Sequence, residues 1–186
     1  MPRARESLED LKAAHAALKG LGLPHALIGG WAVIAWGVVR ATRDLDLLAV
    51  VLLEDHAKLA RRFEKLGYSV DRRRGGVDDP IPDMVRLELK GQPERPEVDI
   101  LVATKGFDQD VLRRAVELDL GGWTIPVACP EDLIAMKLSA GGAVDIADAK
   151  SLLEVQKARL DEPLLLQACK RLRVDKKLKH IREFGF

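Results

Sequence analysis

The stretch HALIGGWAVIAWGVVRATRDLDLLAV, residues 25–50, is the most apolar part of a chain in which 32% of the residues are charged. It nevertheless contains two aspartates, Asp44 and Asp46, in a segment that has the pattern of a buried strand. Positions i and i+2 of a strand share a face, so we expect both carboxylates to point the same way, with Cβ atoms roughly 6–7 Å apart. Like charges held that close repel each other, and burial raises the cost further.

A divalent cation would neutralise such a pair, because Mg²⁺ prefers oxygen ligands and is often bound by two carboxylates together with substrate phosphates. The segment PEVDILVA, residues 96–103, offers a third acid among apolar residues, Asp99. Three acids on strands about 4.8 Å apart would hold two cations, Mg²⁺ or Mn²⁺, about 3.5–4 Å from each other. The alternative is that Asp44 pairs with Arg40 or Arg43 and that Asp99 is a charge at a strand edge.

Gly29 and Gly30 lie between a short apolar strand and a predicted buried helix. Because glycine has no Cβ, a triphosphate can approach the backbone there, and a helix N-terminus favours an anion. Such a pair is also typical of a tight turn. Its position fourteen residues upstream of Asp44, with Thr42 and Arg43 in between, indicates a phosphate-binding role.

The composition identifies no partner by itself. Thirty Lys and Arg against 29 Asp and Glu give a net charge of +1, and 47% of the 186 residues are apolar, enough for a sizeable core. The N-terminus lacks the apolar core of a signal peptide, and the longest apolar run, residues 26–39, is too short to span a membrane. Cys129 and Cys169 lack metal-ligand spacing, so we expect reduced thiols in a cytoplasmic protein without a membrane partner.

Hydrophobic periodicity predicts strands and helices in mixed order, followed by helices alone. Ser7 is predicted as the N-cap of the first helix. The other predicted helices are 54–67, 108–118, a broken run over 130–180, and 31–39, whose β-branched residues also leave a strand possible. The predicted strands are 25–29, 42–53, 68–73, 84–89, 98–103 and 123–128, and 74–83 is predicted as a loop. We therefore predict an α/β (α+β) fold with a mixed sheet flanked by helices over 1–128 and a helical C-terminal part over 129–186.

The order of motifs around the aspartates is specific. The chain carries GGWA at 29–32 and GVVRATRDLDL at 37–47. This combination resembles the signature of the DNA polymerase beta-like nucleotidyltransferase superfamily. It is most similar to the small bacterial group that includes abortive-infection toxin nucleotidyltransferases, and antibiotic nucleotidyltransferases carry a similar Gly-Gly-Trp opening and Arg-x-Thr-Arg run.

The resemblance implies a role for each matching residue. Asp44 and Asp46 would be metal ligands, and Asp99 would be the third acid, binding metal and acting as general base. The implied nucleotide-binding residues are Gly29, Gly30, Thr42, Arg43 and Lys137. Further on, Asp145 and Asp148 match an element that faces the nucleotide in the family, although Asp145 is equally placed to be a helix N-cap. Basic residues that are usual just before it are replaced by Gly142, Ala143 and Val144, and many relatives have Ser where this chain has Gly30.

The function implied is transfer of a nucleoside monophosphate from an NTP to an acceptor hydroxyl, with Mg²⁺ or Mn²⁺ as cofactor. An RNA 3′ end, such as that of tRNA, and a protein hydroxyl are the favoured acceptors, and a toxin of this kind would have an antitoxin as partner. The basic tail, residues 170–186, would either contact RNA phosphates or form a packed helix with a charged outer face. Two alternatives stay open: a non-catalytic nucleotide- or partner-binding module on the same fold, and an antibiotic nucleotidyltransferase.

Overall fold

A computed structural model of the protein describes residues 2–75, 83–104 and 106–184. Within these residues, seven strands form one mixed sheet flanked by eight α-helices, which confirms the predicted fold class. The strands are β1 (His25–Ile28), β2 (Leu45–Ala49), β3 (Tyr68–Arg74), β4 (Asp83–Leu89), β5 (Val98–Val102), β6 (Val116–Asp119) and β7 (Thr124–Val127). The helices are α1 (Pro2–Gly20), α2 (Gly29–Ala35), α3 (His56–Lys65), α4 (Gly106–Arg114), α5 (Pro130–Ala140), α6 (Ala143–Val155), α7 (Glu162–Arg171) and α8 (Asp175–Phe184).

The strand order, β3-β4-β5-β2-β1-β7-β6, places the predicted acids in the interior of the sheet. β2 lies antiparallel to β1 and parallel to β5, and β5 lies antiparallel to β4. In this register one row of paired residues crosses four strands: Arg86, Asp99, Asp46 and Ile28. The sheet therefore brings residues far apart in sequence to one line beside Gly29.

One hydrophobic core holds the sheet and helices together. It includes fully buried Leu47 and Ile100 from the two central strands, and it continues through Leu133 of α5 and Leu152 of α6. Burying a side chain of this size contributes about 1.5–3 kcal/mol, so the strands that carry the acids are anchored by the apolar residues beside them.

The predicted boundary at 128/129 falls between β7 and α5 and stays a prediction. No helix among the described residues has the length and apolar character needed to cross a membrane.

Three local predictions were wrong. The first helix begins at Pro2, and Ser7 is buried inside it instead of capping it; proline is favoured at a first helical position. The predicted strand 42–53 is shorter, because pairing with β1 and β5 spans only Leu45–Ala49, so Asp44 precedes the strand.

The predicted helix 108–118 also ends early, at Arg114. The next residues form β6, which pairs with β7 across a turn where the Asp119 carboxylate accepts hydrogen bonds from the Gly121 and Gly122 amides. Most of the predicted loop 74–83 lies outside the described residues.

Candidate active site

The site is built where β1 ends and α2 begins. Gly29 has a φ of +64°, and a Cβ there would lie 2.0 Å from Oδ2 of Asp46. A Cβ on Gly30 would lie 2.5 Å from Oγ1 of Thr42. The two glycines therefore let the backbone lie directly against the acid and its preceding loop, which any other residue would prevent.

The structure brings the predicted acids together. Asp46 and Asp99 are direct register partners on parallel strands, and Asp44 is exposed just before β2. Burial raises the pKa of Asp46 to about 6, and the charges of Asp99 and Asp44 add to the shift. The carboxylates thus form an electrostatically coupled cluster in which the charged form of Asp46 is disfavoured.

Sequence reasoning missed one residue of this cluster, Arg86. It lies opposite Asp99 in the β4–β5 register, and its Nε and Nη2 donate to the two carboxylate oxygens at 2.9 Å each. Its Nη1 is 3.1 Å from Glu97 Oε2. A lone cation between buried Val85 and Leu87 was the only signal available, and it does not reveal which acid the cation meets.

The alternative pairings considered for the acids are not found. The guanidinium of Arg40 pairs with Asp148 instead of Asp44. Arg43 Nη2 donates to the backbone carbonyl of Glu94 at 3.4 Å. Asp99 is not at a sheet edge either, because β5 lies between β4 and β2.

Lys137 of α5 lies on the helical side of the site. Its Nζ is 2.8 Å from Asp145 Oδ1 and 3.0 Å from Asp148 Oδ2. Burial lowers the pKa of Lys137, but the hydrogen bonds to both aspartates outweigh it and leave the pKa raised. Asp145 is therefore an ion-pair partner and not a helix cap; the N-cap of α6 is Gly142. The charges of Lys137 and Arg40 both act to lower the pKa of Asp46, so this network is within electrostatic reach of the acids.

The carboxylates of the site can supply some, but not all, of the oxygen ligands that a hard cation such as Mg²⁺ requires. Within residues 2–75, 83–104 and 106–184, no three His, Cys, Asp or Glu side chains are grouped so as to hold a metal ion. Asp99 has both oxygens occupied by Arg86, which leaves Asp44 and Asp46. Two carboxylates completed by water and substrate phosphates are an ordinary Mg²⁺ site, so the residues fit a cation bound together with a nucleotide. Asp99 as a third metal ligand stays a prediction.

A cavity of about 620 Å³ borders the loop before the acids. Its lining includes Trp31 and Ile34 of α2, Thr42 and Arg43 of the following loop, and Glu94. In the described part of the chain the buried indole Nε1 of Trp31 has no hydrogen-bond partner. The volume is in the range of small-molecule sites, about 300–1,000 Å³.

Comparison with solved structures shows the same fold. The chain is similar to the antibiotic-resistance factor ANT(2'')-Ia in complex with adenylyl-2''-tobramycin, with 18% identity, 90% of this chain and 98% of that chain covered, and a TM-score of 0.61. It is similar to the lincosamide antibiotic adenylyltransferase LnuA with lincomycin bound, at 17% identity, 81% and 96% coverage and a TM-score of 0.55. It is also similar to an antigenic nucleotidyltransferase-like protein from Paracoccidioides brasiliensis, at 17% identity, 95% and 92% coverage and a TM-score of 0.55.

Comparison with curated protein sequences gives no match. A family model described as nucleotidyl transferase of unknown function, DUF2204, matches residues 7–183, almost the whole chain. This range includes the two glycines, the three acids and Lys137. The chain therefore belongs to the DUF2204 family of nucleotidyl transferases.

Proposed function

We propose that this protein transfers a nucleoside monophosphate from an NTP to an acceptor hydroxyl and releases pyrophosphate, with Mg²⁺ or Mn²⁺ bound by Asp44 and Asp46. The observation that carries the proposal is the cluster of Asp46, Asp99 and Asp44 beside the glycines. A protein without use for a cation gains nothing from holding these like charges together.

Each residue has a role in the proposed reaction. The acceptor oxygen attacks the α-phosphorus, the bond to the β-phosphate bridging oxygen breaks, and pyrophosphate leaves. A bound cation would supply charge neutralisation at the phosphates. Asp99 is the proposed base that receives the hydroxyl proton, Gly29 and Gly30 bring the backbone against the phosphates, and Lys137 is the proposed cation on the helical side, with Thr42 and Arg43 on the loop side.

The cavity next to Thr42 and Arg43 favours a small hydroxylated acceptor as a second candidate to RNA. The cavity is lined by the apolar side chains of Trp31 and Ile34 and by side chains of both charges, Glu6, Glu94, Arg40 and Arg43. Its charge therefore does not exclude an RNA end, and its volume of about 620 Å³ is what supports a small acceptor. The exposed cations of α8 favour RNA, since phosphate contacts need such a surface. The experiment below includes both acceptors.

The test is incubation with each labelled NTP, Mg²⁺ or Mn²⁺, and one of three acceptor sets: total RNA, the proteins of a cell lysate, or a panel of small hydroxylated compounds. We expect label to be transferred by the wild type and lost in Asp46→Asn. Glu64→Gln, an exposed change on α3, is the control that should retain activity. Transfer that persists in Asp46→Asn, or no transfer to any acceptor, would contradict the proposal and favour a non-catalytic nucleotide-binding module.

A toxin role is a further proposal, and it has its own test. If the transferred nucleotide inactivates an essential RNA or protein, expression of the wild type should arrest bacterial growth, whereas Asp46→Asn at equal expression should not. Rescue by a co-expressed partner would then identify an antitoxin. Equal growth with both variants would remove the toxin role and leave the transferase activity untouched.

A further inference from the structure

Arg86 belongs to the same row of residues as the acids but to none of the signature motifs. Its side chain meets Asp99 with both Nε and Nη2 at 2.9 Å. A guanidinium that binds both oxygens of a carboxylate fixes its orientation as well as neutralising it. The Asp99 side chain is 13% exposed and the Arg86 side chain 38% exposed, so this contact is partly buried.

The charges around this contact are unbalanced. Four carboxylates lie in or beside the row (Asp44, Asp46, Asp99 and Glu97), and Arg86 is the cation that the structure pairs with two of them. On the helical side, by contrast, Arg40 and Lys137 are already matched by Asp145 and Asp148. Arg86 therefore neutralises the Asp99 and Glu97 part of this group, whereas the more distant Lys137 and Arg40 act on Asp46.

The same contact restricts what Asp99 can do. A cation that used Asp99 as a ligand would need a carboxylate oxygen that Arg86 now holds. The lack of a three-ligand group among the described side chains agrees with this. Each oxygen has a further lone pair, so a cation at Asp99 would either share an oxygen with Arg86, against the repulsion of its positive charge, or displace it.

We propose that Arg86 is a positioning residue whose charge takes the place of a metal ion. It neutralises Asp99 in the metal-free protein, and it is displaced from Asp99 when a divalent cation binds at Asp44 and Asp46. This rests on the proposed function only in taking those two aspartates as the cation site. The new element is that Arg86 lowers the affinity of this site for a divalent cation.

The first test is thermal unfolding with and without Mn²⁺ alone. Arg86→Gln should unfold at a lower temperature than the wild type without metal, and Mn²⁺ should raise its midpoint more than it raises that of the wild type. The matched control is Arg72→Gln. Arg72 also binds both oxygens of one aspartate, Asp83, at 3.0 and 2.5 Å, with exposures of 28% and 16% against 38% and 13% for the Arg86–Asp99 pair.

Arg72→Gln should lose stability without changing the response to Mn²⁺, because Asp83 is not part of the acid row. A direct titration should show Mn²⁺ binding to Arg86→Gln about tenfold more tightly than to the wild type, since a unit positive charge next to the site has been removed. If Arg86→Gln folds only when Mn²⁺ is present, that result also supports the proposal. If it folds in neither condition, Arg86→Lys takes its place and should show a larger Mn²⁺ response than the wild type, because a lysine ammonium cannot hold both carboxylate oxygens as the guanidinium does; a response equal to that of the wild type would overturn the inference.

Equal Mn²⁺ responses of wild type and Arg86→Gln would show that the pair is merely structural and would overturn the inference. Asp46→Asn separates this failure from failure of the proposed function. If Mn²⁺ binds the wild type and loses its effect in Asp46→Asn, the metal site stands even when Arg86 has no influence on it. If Mn²⁺ acts equally on Asp46→Asn, both ideas fail. If Mn²⁺ alone acts on none of the variants, the inference about Arg86 fails, and the transfer assay with NTP and metal decides the proposed function separately.

Discussion

Ionisable side chains are buried at both ends of β1: His15 and His25 at its start, here called the histidine end, and Asp46 beside its last residue, here called the aspartate end. The two ends differ in how these charges are neutralised. At one end, His15 Nδ1 and His25 Nε2 are 2.8 Å apart, and His25 Nδ1 bonds the Leu23 carbonyl at 2.8 Å. Burial lowers the pKa of both histidines, and the neutral rings satisfy one another. At the other end, burial raises the pKa of Asp46 to about 6, and its neighbours are further carboxylates. The histidine end is complete as it stands, whereas the aspartate end still has charge for a ligand to neutralise.

The largest effect should come from removing the central charge of the aspartate end. We expect Asp46→Asn to reduce nucleotidyl transfer by about a thousandfold or more, because the variant loses a proposed metal ligand. The metal-free protein should become more stable by about 1–3 kcal/mol, since burial and two neighbouring carboxylates disfavour the charge at this position. Transfer assays and urea denaturation measure the two effects. A variant that is both inactive and less stable would show that Asp46 is held by favourable contacts.

Two glycine-to-alanine substitutions measure how much stability depends on the close approach of Gly29 to Asp46. Gly29→Ala should cost about 3 kcal/mol or more, because its Cβ would meet Asp46 and its backbone has a positive φ. Gly22→Ala is the matched control: its φ is +69° but no atom lies within 4 Å of the added Cβ, so about 1–2 kcal/mol is expected. Urea denaturation gives both values. Equal costs would mean that Asp46 moves away freely and that the close approach has no consequence.

Replacing Lys137, on the helical side of the aspartate end, should have a smaller effect, and we expect it on nucleotide affinity. Lys137→Gln should weaken NTP binding about tenfold, because the variant loses a cation within reach of the acids. Lys12→Gln, an exposed change on α1, should leave binding unchanged. Equilibrium titration with a fluorescent NTP analogue measures both. If Lys137→Gln binds as the wild type does, Asp145 and Asp148 have already neutralised this lysine and it has no part in nucleotide binding.

The smallest effect is expected at the histidine end. Since the pKa of each histidine is lower in the folded protein than its ordinary value of 6.5, the folded state binds fewer protons than the unfolded state. The stability contribution is therefore complete above pH 6.5 and is lost as the pH falls below it. Urea denaturation between pH 8 and pH 5 should show a steeper decline for the wild type than for His15→Gln. Identical pH profiles would show that the pair does not resist protonation.

The strands that carry Asp46 and Asp99 could be predicted because local runs of apolar residues encode them. The continuous apolar runs around Asp46 and Asp99 indicate interior strands, and two lone acids on neighbouring interior strands have to meet if the strands pair near those positions. The glycines at the start of α2 and the helical C-terminal part follow from equally local signals.

The unpredictable part depends on register. Whether Arg86 or Glu88 lies opposite Asp99 is decided by how β4 pairs with β5, because both side chains lie on the same face of β4 and a shift of two residues would exchange them. Likewise Val116–Asp119 alternates over only four residues, and it became a strand because β7 lies beside it. Long-range pairing, not intrinsic preference, settles both cases.

The central claim is that the acid row binds a divalent cation together with a nucleotide, and calorimetric titration of Mg²⁺ and a non-hydrolysable ATP analogue measures this most directly. The account predicts that the analogue binds the wild type much more tightly with Mg²⁺ than without it, and that Asp46→Asn loses this difference. Equal binding with and without Mg²⁺, or a difference that survives in Asp46→Asn, would contradict it.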